Sequence, residues 1–364
     1  MKVSQILVIL LLASLSFGQN LNPLNATDGI ACATNVTNVW LDTAIVIELS
    51  NATALQWEAI VGNILTYLYQ FTLTGNPTVA HTSRVSIFGY TSASEAELIF
   101  ALTDTQRIQH IKFALNQAKP INIVEGLPNI TSGLLLAKQH LEINPSFRVK
   151  GVVLYAATYD DSENSNVKVA NELKADQIKI MTVSYDAANG VNTSRISALA
   201  SPGLALTSLD DSTKFASAVA QLNCRCPNTY TYTQFEYENT TYAECFYIQG
   251  ASNFDTCDGS SFPAVANTPA RFDFITQLAS NYTSEFNIGL VRNNANSTWT
   301  WEDGQAYSDT FYPPFAQPPS ETDTYGYLAK SNNYNWQLLS DDSFVIRQFV
   351  CQQRACDSDH FCNI

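Results

Sequence analysis

The sequence predicts two domains: an α/β doubly wound, mostly parallel sheet, followed by a disulfide-stapled α+β unit. Three observations predict this. Over residues 40–223 short β-rich apolar runs alternate with helical patterns. Seven of the eight cysteines lie from Cys224 onward and only Cys32 precedes them, so the first part must cohere through its core and the second is cross-linked. Beyond Cys226 aromatic residues become dense while helical patterning becomes scarce. A chain of 364 residues is long enough for two such cores at roughly 150 residues each.

The chain opens MKVSQILVILLLASLSFGQ. Lys2 precedes an apolar run over 6–15, and Ser16 and Gly18 stand where a signal peptidase reads, so residues 1–18 are expected to be a secretory signal peptide. Residues 19–39 then form an N-terminal segment. No other stretch reaches the roughly 18 apolar residues that span a bilayer, so the expected location is secreted and extracellular. There, eight cysteines form four disulfides most simply. Eight Asn-X-Ser/Thr sequons (Asn25, Asn35, Asn51, Asn129, Asn192, Asn239, Asn281 and Asn296) fit a glycosylated exported chain.

Along the first domain, strands are expected at 43–49, 83–90, 151–158, 178–185 and 204–209. Their runs lack the polar alternation of a half-exposed sheet. Helices are expected at 54–71, 105–118, 130–143, 164–175 and 212–223, where apolar residues recur at three- and four-residue spacings. Strand alternating with helix means a parallel sheet covered on both faces, with a ligand site in loops at the carboxyl ends of the strands. Three such loops follow apolar strands: ELSNA (48–52), GLPNITSGLLLA (126–137) and VVLYAATYDD (152–161).

This layout resembles a von Willebrand factor type A domain over residues 40–223. The resemblance implies a divalent-ion site built from an Asp-X-Ser-X-Ser loop, a Thr from a second loop and an Asp from a third. A hard ion such as Mg²⁺ wants six oxygens converging in near-octahedral geometry. Here Glu48 stands for the Asp, Ser50 is kept, Ala52 replaces the second Ser, Pro128 the Thr and Ala157 the last Asp. Three of the five positions carry no side-chain oxygen, so no metal is expected; Thr53, Thr131 and Asp160, one to three residues out of register, are the alternative donors. Asn51 and Asn129 fall within two of these loops, where glycans would shield a retired face.

In the second domain, CPNTYTYTQFEYENTTYAECFYI reads as a hairpin closed by Cys226 and Cys245. One helix is expected at 267–282. FNIGLVRN (286–293) and TWTWEDGQ (298–305) come next, then a loop rich in Pro, Ser and Tyr, then NYNWQLLS and FVIRQFVC. The order is similar to a C-type lectin-like domain over 226–352, with residues 353–364 as a C-terminal tail. Asn287-Ile288-Gly289-Leu290 and Trp299-Thr300-Trp301-Glu302-Asp303-Gly304 carry the likeness.

That resemblance implies the pairs Cys257–Cys351 and Cys226–Cys245. Closing so long a loop through the first would stabilise by about 4 to 5 kcal/mol in the chain-entropy description. Cys32 with Cys224 would join the ends of the first domain, and Cys356 with Cys362 a small terminal loop, although spacing alone does not fix connectivity. Zinc held by Cys224, Cys226, Cys351, Cys356, His360 and Cys362 is disfavoured in an oxidising compartment.

Calcium-dependent sugar binding in this family rests on Glu-Pro-Asn or Gln-Pro-Asp in the long loop and Asn-Asp after the final tryptophan. This chain offers Gln317-Pro318-Pro319, and Gln337-Leu338 after Trp336. A calcium-free face is expected, with Glu321, Asp323, Asp341 and Asp342 as irregular ligands in the alternative. Trp299 and Trp301 are read as core. Tyr307, Tyr312, Tyr325, Tyr327 and Tyr334 either stack on a sugar or, for most of them, pack together.

A net charge of −14 without any basic run makes nucleic acid and anionic membranes poor partners. No G-X-S-X-G elbow, Walker loop, dinucleotide fingerprint or H-E-X-X-H helix occurs, so no enzyme is supported. The pairing of modules resembles a nematode family of secreted proteins that carry both, which implies glycan recognition and defence against microbes. The expected partners are glycans or, in the alternative, extracellular proteins bound by a metal-independent scaffold.

Overall fold

The computed structural model describes residues 28–362, apart from 77–78, 94, 122–125, 160–163, 186–192, 229–230, 295–296 and 309–312. The expected leader and Asn25, Asp160, Asn192, Asn296 and Tyr312 therefore lie outside the described residues.

The first sheet has six strands: β1 (Leu41–Glu48), β2 (Arg84–Tyr90), β3 (Glu97–Phe100), β4 (Val149–Ala156), β5 (Lys179–Ser184) and β6 (Ala205–Thr207), in the order β3-β2-β1-β4-β5-β6. All neighbours run parallel except β3, which lies antiparallel against β2. Every residue of β1 is buried because both faces are covered. Ile45 and Ile47 enter one core with Ile60, Ile64, Ile111, Phe215 and Val219, while Ala44 and Val46 enter the other with Leu134, Leu141, Val169 and Leu173. The helices are α1 (Asn51–Ala54), α2 (Trp57–Leu68), α3 (Ile108–Gln117), α4 (Ile130–Ile143), α5 (Ser165–Ala175), α6 (Ser194–Ser197) and α7 (Ser212–Leu222).

Two expectations are corrected. The single helix expected over 54–71 is two pieces, because Ser50 and Thr53 form a capping box that starts α1 early and the chain then turns through the exposed Leu55 before α2. Strand β3 was not expected: it has four residues, three of them partly or fully exposed, and carries too short an alternation to read.

The second sheet comprises β7 (Thr233–Tyr237), β8 (Thr240–Gln249), β9 (Phe262–Pro263), β10 (Glu285–Val291), β11 (Thr300–Trp301), β12 (Tyr325–Lys330), β13 (Trp336–Asp341) and β14 (Gln348–Arg354). Its main order is β13-β12-β10-β14-β8-β7, with β11 on β10 and β9 on β14. The β7–β8 hairpin turns through Glu238 and Asn239, both at positive φ as a two-residue primed turn demands. Helix α8 (Pro269–Ala279) starts on Thr268, whose hydroxyl accepts the Arg271 N–H, with Pro269 in its first turn. Trp301, Phe286, Ile288, Leu290, Leu328 and Val350 form the core. Gly289 is required there: an added Cβ would stand 2.3 Å from the Pro263 carbonyl oxygen.

Four disulfides join Cys32–Cys224, Cys226–Cys245, Cys257–Cys351 and Cys356–Cys362. Both chain ends tie the units together. Ala31 pairs with Tyr242 of β8, and the Ile30 N–H donates to buried Glu244, so the segment preceding the first sheet lies on the second unit. The region read as a C-terminal tail returns to the first: Phe361 packs on Trp40, His81 and Phe147, and the Trp40 indole donates to the Asp357 carbonyl.

Candidate functional site

At the carboxyl end of the first sheet, Glu48 closes β1 as a fully buried carboxylate. Being one methylene longer than Asp, it reaches the loop after β4. Its Oε2 accepts the N–H groups of Ala157 at 2.7 Å and Thr158 at 2.9 Å, and its Oε1 accepts the hydroxyls of Ser50 at 2.5 Å and Thr158 at 2.9 Å. Four donors thus saturate one anion. The Ser50 hydroxyl oxygen also accepts the Ala52 N–H, capping α1. Tyr90, buried nearby, has its phenol pushed well up by burial and then by the charge of Glu48.

The other positions add no oxygen. Pro128 is buried, Ala157 contributes its N–H, and Ala52 is half-buried beside the cap. Of the alternative donors, the two among the described residues are engaged elsewhere: Thr53 donates to the Glu48 carbonyl, and Thr131 donates to Asn166 Oδ1 and lies 3.0 Å from the Ser165 hydroxyl. Sequence reasoning missed Thr158. Its signal was a hydroxyl one residue beyond the vacant Asp position. Among the described residues the arrangement does not fit a hard divalent ion, because two backbone N–H groups and two hydroxyls all point their donors at the one carboxylate.

The long-loop face of the second unit is arranged differently. Arg347, with its side chain 8% exposed, reaches Asp341 Oδ2 at 2.7 Å and Glu285 at 3.4 Å, and its guanidinium lies 3.8 Å over the Tyr327 ring. Asp323 accepts the Ser320 N–H at 2.8 Å and the Ser340 hydroxyl at 2.6 Å. Arg292 binds the carbonyls of Ser320 and Asp323 and stacks over Trp299. Glu321 and Asp342 are exposed. Calcium would have to displace the arginine from Asp341, so the face does not fit it as arranged.

Ala316 donates to the Leu338 carbonyl, which lays the long loop along β13 and brings exposed Gln317 and Gln337 onto adjacent segments. Pro318 is exposed and Pro319 half-buried. Trp336 packs edge-on against Phe286 and donates to Ser280, so it serves the core edge. Among the tyrosines, Tyr307 packs on Trp301 and Phe315, Tyr325 on Phe344, and Tyr327 under Arg347, whereas Tyr334 is 83% exposed at a hairpin tip.

The buried carboxylates among the described residues are Asp42, Glu48, Glu244 and Asp357. Arg84 holds Asp42, Arg271 holds Glu244, and Arg354 holds Asp357 together with the N–H groups of Ala33, Asp359 and His360. None of them faces another across a cleft as an acid–base pair requires. Of the sequons, Asn51, Asn35, Asn239 and Asn281 are exposed, while Asn129 is half-buried and caps α4 through Oδ1.

Residues 251–353 match the lectin C-type domain family. The match begins after the β7–β8 hairpin, which the sheet nevertheless includes. No curated protein matches the chain. Among solved structures, proximal thread matrix protein 1 from the mussel byssus aligns at 20% identity over 52% of this chain and 46% of its own, with a TM-score of 0.41. The same protein with a zinc-occupied MIDAS motif aligns at 20% identity over 53% and 48%, TM-score 0.42. Manganese-loaded TRAP protein of Plasmodium vivax aligns at 12% identity over 61% and 91%, TM-score 0.43. The chain spans about half the length of the byssus protein.

Proposed function

We propose that this is an extracellular, non-enzymatic recognition protein that binds carbohydrate through its C-type lectin-like unit without a divalent ion. The carrying observation is that the lectin-type match at 251–353 has Asp341, one of the acids on its long-loop face, held by Arg347. Such a module would read sugars by hydrogen bonds from exposed amides such as Gln317 and Gln337 and by stacking on exposed Tyr334. Four disulfides, and no helix among the described residues long and apolar enough to cross a membrane, support action outside the cell. Glycans of microbial surfaces, in a defence role, are the targets that the pairing of modules suggests.

A second reading, a protein–protein adhesion scaffold, is favoured by one feature. A groove of about 710 Å³ beside β3 and α3 carries the exposed Leu98 and Phe113. A glycan array probed with and without chelator separates the two. Chelator-insensitive binding to defined glycans supports the first. Silence in both conditions supports the scaffold, and binding lost with chelator overturns the metal-free claim.

A further inference from the structure

Where the two units meet lies a cavity of about 430 Å³, lined from the first unit by Lys174 near the end of α5 and Lys179 at the start of β5. Arg225, between Cys224 and Cys226, and Glu236 of β7 complete its charged groups. Three cations thus face one carboxylate, in a chain that has only 19 basic residues and a net charge of −14. None of the three cations takes part in the ion pairs among the described residues.

Their donors are only partly used. The Lys179 ammonium donates to the carbonyls of Gln221 at 3.3 Å and Cys224 at 2.5 Å, which leaves one of three N–H groups. Arg225 donates through Nε to Gln177 at 3.1 Å and through one terminal nitrogen to Asn228 at 2.8 Å, and the other terminal nitrogen has no such partner among the described residues. Glu236 sits opposite Thr241 in the β7–β8 ladder.

We propose that this junction cavity binds a small oxyanion: the sulfate, phosphate or carboxylate group of one acidic sugar or of a free anion. The volume is in the range of small-ligand sites, and partly enclosed cations focus their field on what enters. Burial pushes the Lys179 ammonium down to about 7 and also lowers Lys174 and Arg225, while it raises Glu236. An oxyanion would supply the missing counter-charge. The site is independent of the long-loop face, so its failure leaves the carbohydrate reading untouched.

The test is calorimetric titration of the full chain at pH 6 with sodium sulfate, sodium glucuronate and, as the uncharged control, glucose. Saturable binding of sulfate alone assigns the site to sulfate- or phosphate-type groups, and binding of glucuronate as well extends it to sugar acids. Glucose should give no heat. Arg225→Gln should weaken binding about tenfold and exposed Lys112→Gln should leave it unchanged. Glu236→Gln should tighten it, a gain that no folding defect would imitate. Binding should fall from pH 6 to pH 8 as Lys179 loses its proton. No saturable binding of either anion, binding by Arg225→Gln equal to the parent's, or no gain in Glu236→Gln would each overturn the proposal.

Discussion

The two faces that the resemblances associate with an ion are closed by opposite means. In the first unit a carboxylate is kept and enclosed by donors: Glu48 takes two N–H groups and two hydroxyls and is fully buried. In the second a cation of the protein's own is supplied, as Arg347 sits on Asp341 and reaches Glu285. The lesson is that how a carboxylate is satisfied depends on its burial. A buried acid needs hydrogen bonds from every side, whereas a half-exposed one is satisfied by a single guanidinium.

The largest break in that comparison is Glu48→Ala. It strands Ala157 N–H, Thr158 N–H and two hydroxyls, and should cost about 4 kcal/mol by urea unfolding at unchanged slope. Arg347→Met keeps volume over Tyr327 but frees Asp341, and should cost about 2 kcal/mol. Thr158→Val removes one donor of four and should cost about 1 kcal/mol, while its backbone N–H bond stays. In double-mutant cycles the pair Glu48 and Thr158 should couple by about 1 kcal/mol, more than the partly exposed pair Arg347 and Glu285. Smallest is Asn51→Gln: the residue is exposed at the start of α1, so stability should shift by less than about 0.5 kcal/mol. Glycopeptide mapping tests the shielding idea, and finding both Asn51 and Asn129 bare would remove it.

Much of this architecture was legible. Unbroken apolar runs such as 43–49 read as doubly covered strands, and NIGL and WTWEDG placed the centre of the second unit because a close-packed glycine and two core tryptophans leave local marks. That Ala52, Pro128 and Ala157 carry no side-chain oxygen is plain from residue type alone. The surroundings of Glu48 were not. That Glu48 uses its extra methylene to collect donors 109 and 110 residues away depends on the β1–β4 register, and a single sequence does not carry that. The same holds for Arg347, which reads as a lone surface charge until β14 and β13 bring it to Asp341. The docking of Phe361 on Trp40 and of Ile30 on Glu244 likewise joins chain ends to the opposite units, where no periodicity points.

Titration of chelator-treated, full-length protein with magnesium and then calcium chloride, followed by calorimetry and thermal melting, addresses both faces at once. Two closed faces predict no saturable heat and an unchanged melting temperature for either ion. Saturable binding of one ion, accompanied by a rise in melting temperature that Glu48→Ala or Asp341→Asn abolishes, would contradict that account.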